Sequence, residues 1–134
     1  MSHNTRPRST QRKIANEYLT IRHVQERSDL EQVFPIGEID LCTAPMLREV
    51  LTDTDRRQVP NVLVDLSKVG FLALIGVQAL QSAGERACAT DRRLVLVAPT
   101  PSVQRVLSLA DVAGELEIYV SMRSAMSALT PTPI

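Results

Sequence analysis

The sequence has 134 residues, which is room for one domain with a single hydrophobic core and little to spare. Hydrophobic residues make up 44% and charged residues 22%, the balance of a soluble globular chain. The formal net charge is zero, which leaves no basic field to hold nucleic acid or an acidic membrane surface, so neither is expected as a partner.

Residues 1–17 place Arg6, Arg8, Arg12 and Lys13 among polar residues with almost nothing to bury, and a disordered basic arm is expected there. Order is expected over 18–130, with 131–134 as a tail. Alternation from Tyr18 to Val24, a turn at Ser28-Asp29 and a second alternating run to about Ile39 predict a hairpin, with Pro35 marking an edge or bulge. Thr43 is a candidate N-cap. Pro45 fits the first turn of a helix whose apolar positions are Met46, Leu47, Val50 and Leu51, with Arg56 and Arg57 in its last turn.

The continuous run Val62 to Leu66 reads as a central strand covered on both faces. A loop over 67–70 leads to a helix from about Leu74 to Thr90. Arg93 to Ala98 is a further buried strand, and Pro101 opens a helix carrying Val103, Val106, Leu107 and Ala110. Leu116 to Val120 is the last strand and Met122 to Leu129 the closing helix. The order ββαβαβαβα predicts an α/β fold: a mixed, largely parallel sheet of about five strands with about four helices and right-handed crossovers.

Motifs for catalysis are missing. No G-x-G-x-x-G, P-loop or G-x-S-x-G string occurs, and His3 and His23 lie in the arm and the first strand, away from any nucleophile motif. Glu38 and Asp40 are read as a solvated side chain and a loop cap rather than an acid/base pair. No enzyme activity and no cofactor are expected. Cys42 and Cys88 are too few for a disulfide framework and are not spaced as metal ligands. Residues 1–17 lack the apolar segment of a signal peptide. The most apolar run, Val69 to Val77, contains Gly70 and Gly76 and is too short to span a bilayer. A cytoplasmic protein with reduced thiols is the expectation.

Three segments carry a family resemblance. Phe34-Pro35-Ile36-Gly37-Glu38-Ile39-Asp40-Leu41-Cys42-Thr43-Ala44 resembles the G-E-[LI]-D-x-x-[ST]-A signature that closes the second strand of STAS domains. The stretch from Val62 to Phe71 resembles their central strand and following loop. Arg93 to Leu107 is similar to their fourth strand and third helix. The resemblance covers about residues 18–129 and points to the anti-sigma factor antagonists among these domains. It implies a regulator that binds an anti-sigma factor with a kinase-like ATP-binding fold, and that is released when a serine in D-S-[ST]-G, at the start of the second helix, is phosphorylated.

Aligned on Phe71 and Gly76, that motif is replaced here by Ala73, Leu74 and Ile75. Ile75 stands at the acceptor position and has no hydroxyl, so the phosphate switch is chemically excluded there. At about 100° per residue, Ala73, Val77, Leu80, Gly84, Ala87 and Cys88 form the expected core stripe of the helix. Ile75, Ala79, Ser82 and Arg86 are expected to point away from it, with Leu74 and Gln78 between. The resemblance and this phase together give an expected partner-binding surface of Asp40, Leu41, Cys42, Thr43, Ala73, Leu74, Ile75, Gly76, Gln78, Ala79 and Ser82. Thr43 and Ser82 are alternative phosphoacceptors by proximity, and Cys42 is a candidate redox-sensitive thiol. The competing reading is a STAS scaffold or sensor that works through a homodimer, an apolar ligand or another protein, outside sigma regulation.

Overall fold

The structure, a computed structural model, describes residues 10–110 and 116–130. Seven strands form one mixed sheet. They are β1 (Thr10–Ala15), β2 (Leu19–Arg27), β3 (Leu30–Ile39), β4 (Asn61–Asp65), β5 (Val69–Leu72), β6 (Arg93–Val97) and β7 (Glu117–Tyr119). The helices are α1 (Ala44–Arg56), α2 (Leu74–Ala89), α3 (Pro101–Leu109) and α4 (Met122–Leu129). The sheet runs β1-β2-β3-β4-β6-β7, with β5 attached to the far end of β3. β1, β2 and β3 are antiparallel neighbours, and every pairing beyond β3 is parallel.

Side-chain parity explains why β4 and β6 are unbroken apolar runs. Val62, Val64, Leu94 and Leu96 point into a core closed by α1, α2 and α3, while Leu63, Val95 and Val97 meet Ala125 and Leu129 of α4 on the other face. A strand covered twice has no polar side to show. Pro35 sits where β3 changes neighbours: its last pair with β4 is Val33↔Val64 and its first with β5 is Gly37↔Val69. A residue without an N–H is tolerated at such a break in the ladder.

Two expectations need correction. The segment expected as part of a disordered arm includes β1, which pairs with β2 from Thr10↔Gln25 to Ala15↔Thr20, so residues 10–15 belong to the sheet, ahead of the expected start at 18. The turn is set by Asn16, whose side-chain oxygen accepts the N–H groups of Tyr18 and Leu19 at 2.8 and 2.9 Å. Ile14 packs against the core, and Arg12 reaches Asp53 of α1 at 3.7 Å. Residues 1–9 and 131–134 lie outside the described residues. The second correction is β5, expected as loop, whose ladder with β3 brings the strand count to seven.

An ion-pair chain ties this end of the sheet to α1. Nδ1 of His23 lies 2.8 Å from Glu31, and the other Glu31 oxygen accepts from Arg57 at 2.7 Å. Arg57 also pairs with Asp53 at 2.7 Å. Burial alone would raise the Asp53 carboxyl, but the hydrogen bonds and charge of Arg57 outweigh it and hold Asp53 below the ordinary aspartate range. At the opposite edge Arg93 forks onto Glu117 and donates to the Ala128 carbonyl, joining β6, β7 and α4.

Candidate functional site

The two segments singled out by the sequence meet at one end of the sheet. The N–H of Ala73, at the start of α2, donates to the Ile39 carbonyl at the end of β3 at 2.8 Å. The 40–43 loop therefore lies beside the α2 N-terminus.

Asp40 shapes that loop. Its Oδ1 accepts the N–H groups of Cys42 and Thr43 at 2.9 and 3.0 Å. The Thr43 hydroxyl donates to the Glu38 carbonyl at 2.8 Å and accepts from the Asp40 N–H at 2.9 Å. The Thr43 N–H, the foremost of these donors, holds the Asp40 carboxyl below the ordinary aspartate range against the effect of burial. Asp40 is thus a loop cap, as read from the sequence, and Glu38 is exposed. Thr43 occupies the N-cap position of α1, but its side chain braces the loop instead of capping the helix.

Gly37, just before, has φ +125°, and a Cβ there would fall 2.2 Å from the Tyr18 carbonyl oxygen. Only glycine fits where the start of β2 crosses so closely.

At the start of α2, Ala73 holds the N-cap position in extended geometry with no side-chain hydrogen bond to the helix. The phase expected for this helix needs correction. Its buried residues are Gly76, Val77, Ala79, Leu80, Ala83 and Ala87, an arc that keeps Val77, Leu80 and Ala87 but is centred roughly 60° from the expected stripe. Small residues make the closest contact: a Cβ on Gly76 would come 2.6 Å from Ile39 Cγ2 and 2.8 Å from Leu72 Cδ1. α2 also packs on α1, which widens the buried arc to Ala79.

Leu74 is the outward residue, at 55% exposed, whereas Ile75 is half-buried against the core. Cys88, expected in the core, is exposed, as is Cys42, and both thiols are free.

These positions sort the expected surface. Leu41 is 74% exposed and Leu74 55%, so the loop and the helix start each present an apolar side chain to solvent, whereas Phe71, 52% exposed, alternates with the buried Leu72 on β5 and faces the other side of the sheet. Cys42, Gln78 and Ser82 are exposed, while Asp40 and Ala73 are partly so. Thr43 and Gly76 are buried, so they position the surface and cannot touch a partner, and Thr43 is removed as an accessible phosphoacceptor. Ile75, Gln78, Ala79 and Ser82 line one groove between α1 and α2, completed by Arg48, Thr52 and Arg86. Arg48 and Thr52 were not legible as site residues, because their approach depends on how the two helices pack.

Among the described residues no group of His, Cys, Asp and Glu side chains is arranged to hold a metal, and no helix is long and apolar enough to cross a membrane.

Comparison with known proteins agrees with this architecture. An anti-sigma factor antagonist from Mycobacterium paratuberculosis superposes with a TM-score of 0.71 at 23% identity, over 90% of this chain and 92% of that one. The Bacillus cell fate determinant SpoIIAA in its phosphorylated form gives 0.64 at 13% identity, over 82% and 99%. The fold also occurs within a larger protein, the murine solute carrier 26 family member A9 anion transporter, with a TM-score of 0.66 at 18% identity over 78% of this chain and 18% of that one. No curated protein matches the sequence. The family profile described as the STAS domain matches residues 22–125, and the chain belongs to that family.

Proposed function

We propose that this chain is an anti-sigma factor antagonist that binds a kinase-like anti-sigma factor through the α2 N-terminus and the 40–43 loop, without a phosphate switch at the usual position. The observation that carries this reading is the pair of exposed apolar residues Leu41 and Leu74, on the loop and the helix start that the Ala73–Ile39 hydrogen bond joins, in a STAS frame. Both are more than half exposed, so covering them on a partner contributes about 1 kcal/mol apiece. Leu74 and Ile75 offer no oxygen to phosphorylate, and the complex is expected to be insensitive to ATP at this helix. The protein acts in the cytoplasm, with Cys42 and Cys88 reduced.

The test is titration against purified anti-sigma factors of the kinase-like fold from the same organism, with and without ATP. The expected result is a complex that ATP leaves intact and that Leu74→Asp weakens at least about tenfold, an apolar hot-spot residue having been replaced by a buried charge. Absence of binding to every such factor, or phosphate recovered on the peptide spanning 69–86, in which Ser82 is the one hydroxyl, would overturn the reading. The second of these outcomes would implicate Ser82, whose hydroxyl stands in the groove.

A further inference from the structure

The groove between α1 and α2 has an apolar floor of Ile75 and Ala79, and its polar lining is two guanidiniums, two hydroxyls and an amide, with no carboxylate. Arg86 is already held by Asp55 at 2.6 Å, and the same carboxylate takes Arg92 at 2.7 Å. Arg48 has no carboxylate of the described residues within ion-pairing distance. Glu49, its neighbour on α1, lines a different cleft, with Lys13 and Asp53. Positive charge therefore exceeds negative charge along the groove, although the whole chain is neutral. Ile75, at one end of the groove, directly follows the exposed Leu74 in α2.

We infer that the groove seats a segment of the anti-sigma factor bearing an apolar side chain and a carboxylate. The apolar side chain rests on Ile75 and Ala79, and the carboxylate pairs with Arg48. This rests on the proposed function and specifies the chemistry its partner must present. A guanidinium is the cation best matched to a carboxylate, because its planar fork makes two parallel hydrogen bonds. The hydroxyls of Thr52 and Ser82 add donors to the same lining. A basic segment would instead meet Arg48 with no compensating charge, and like-charge contact is how interfaces reject wrong partners.

The inference is tested by measuring the affinity of wild type, Arg48→Glu and Arg48→Lys for the purified anti-sigma factor at low and high salt. Arg48 is exposed on the helix surface, so circular dichroism should show all three folded alike. Expected are a loss of about tenfold or more for Arg48→Glu, about threefold or less for Arg48→Lys, and a flatter salt dependence for Arg48→Glu. If Arg48→Glu binds as wild type while Leu74→Asp still weakens the complex, the groove takes no carboxylate and the proposed function stands without it. If no such factor binds the wild type, both fall. Should Arg48→Glu alter only the sedimentation of the chain by itself, the groove's occupant is a second copy and the inference is overturned.

Discussion

Ala73 has φ −82° and ψ 162°, the geometry in which a serine or aspartate side chain reaches the N–H groups of the following turn. Alanine leaves those donors without that partner. Ala73→Ser should therefore raise unfolding stability by about 1 kcal/mol, seen as a higher urea midpoint at constant slope. Three residues on, Gly76 presents a conflict that magnitudes decide. Alanine is favoured over glycine by about 1 kcal/mol inside a helix. Its Cβ would however press to 2.6 Å from Cγ2 of Ile39, a residue with no exposed surface. Overpacking of this sort costs roughly 1–3 kcal/mol, so Gly76→Ala should destabilise by about 1 kcal/mol in the same urea assay. A gain in stability would show that Ile39 has room to turn away. Both positions lie where the resemblance gave the motif but not the packing. Glycine's role at 76 is legible only once Ile39 and Leu72 are placed beneath it.

At the level of elements, the strands that were legible are those held by side chains. β4 and β6 announce themselves because alternate residues enter two different cores. β1 and β5 belong to the sheet through their backbone ladders, and their side chains give little sign of it. In β1 only Ile14 packs against the core, while Arg12 and Lys13 carry the charges that keep an edge strand from pairing further. β5 exposes Gly70 and Phe71, half of its four residues. The helical phase of α2 departs from its sequence pattern for a related reason: glycine and alanine carry little hydrophobic signal, yet they make the closest contacts. The α1–α2 groove was invisible because each helix supplies only part of its lining.

The attachment of β1, β2 and β3 to α1 concentrates on Glu31, which is 2% exposed and pairs with both His23 and Arg57. Glu31→Gln keeps the shape and removes the charge that faces Arg57. A loss of about 2–3 kcal/mol is expected, because a partly buried guanidinium is left facing a neutral amide. Chemical denaturation at neutral pH measures it. A change below about 0.5 kcal/mol would mean that Asp53 alone satisfies Arg57.

Across the whole molecule, three carboxylates on separate elements share one electrostatic condition. Asp40 in the 40–43 loop, Asp53 on α1 and Glu117 on β7 are each held below their ordinary ranges, Asp40 by backbone N–H donors and the other two chiefly by arginine partners. Groups with depressed values in the folded state bind fewer protons than in the unfolded chain. Their contribution to stability is complete above the ordinary carboxylate range and is lost as pH falls through the depressed folded values. The urea midpoint should therefore be flat from neutrality down to the ordinary carboxylate range and then fall. All three side chains retain contact with solvent, so screening keeps each contribution modest and the decline gradual. Glu117→Gln separates this account from general acid unfolding. It should lower stability at neutral pH, where the Arg93 pairing is lost, and leave a shallower acid limb than wild type. If the acid limbs of the two proteins are parallel, the Glu117 carboxyl is not among the groups that couple this fold to protons.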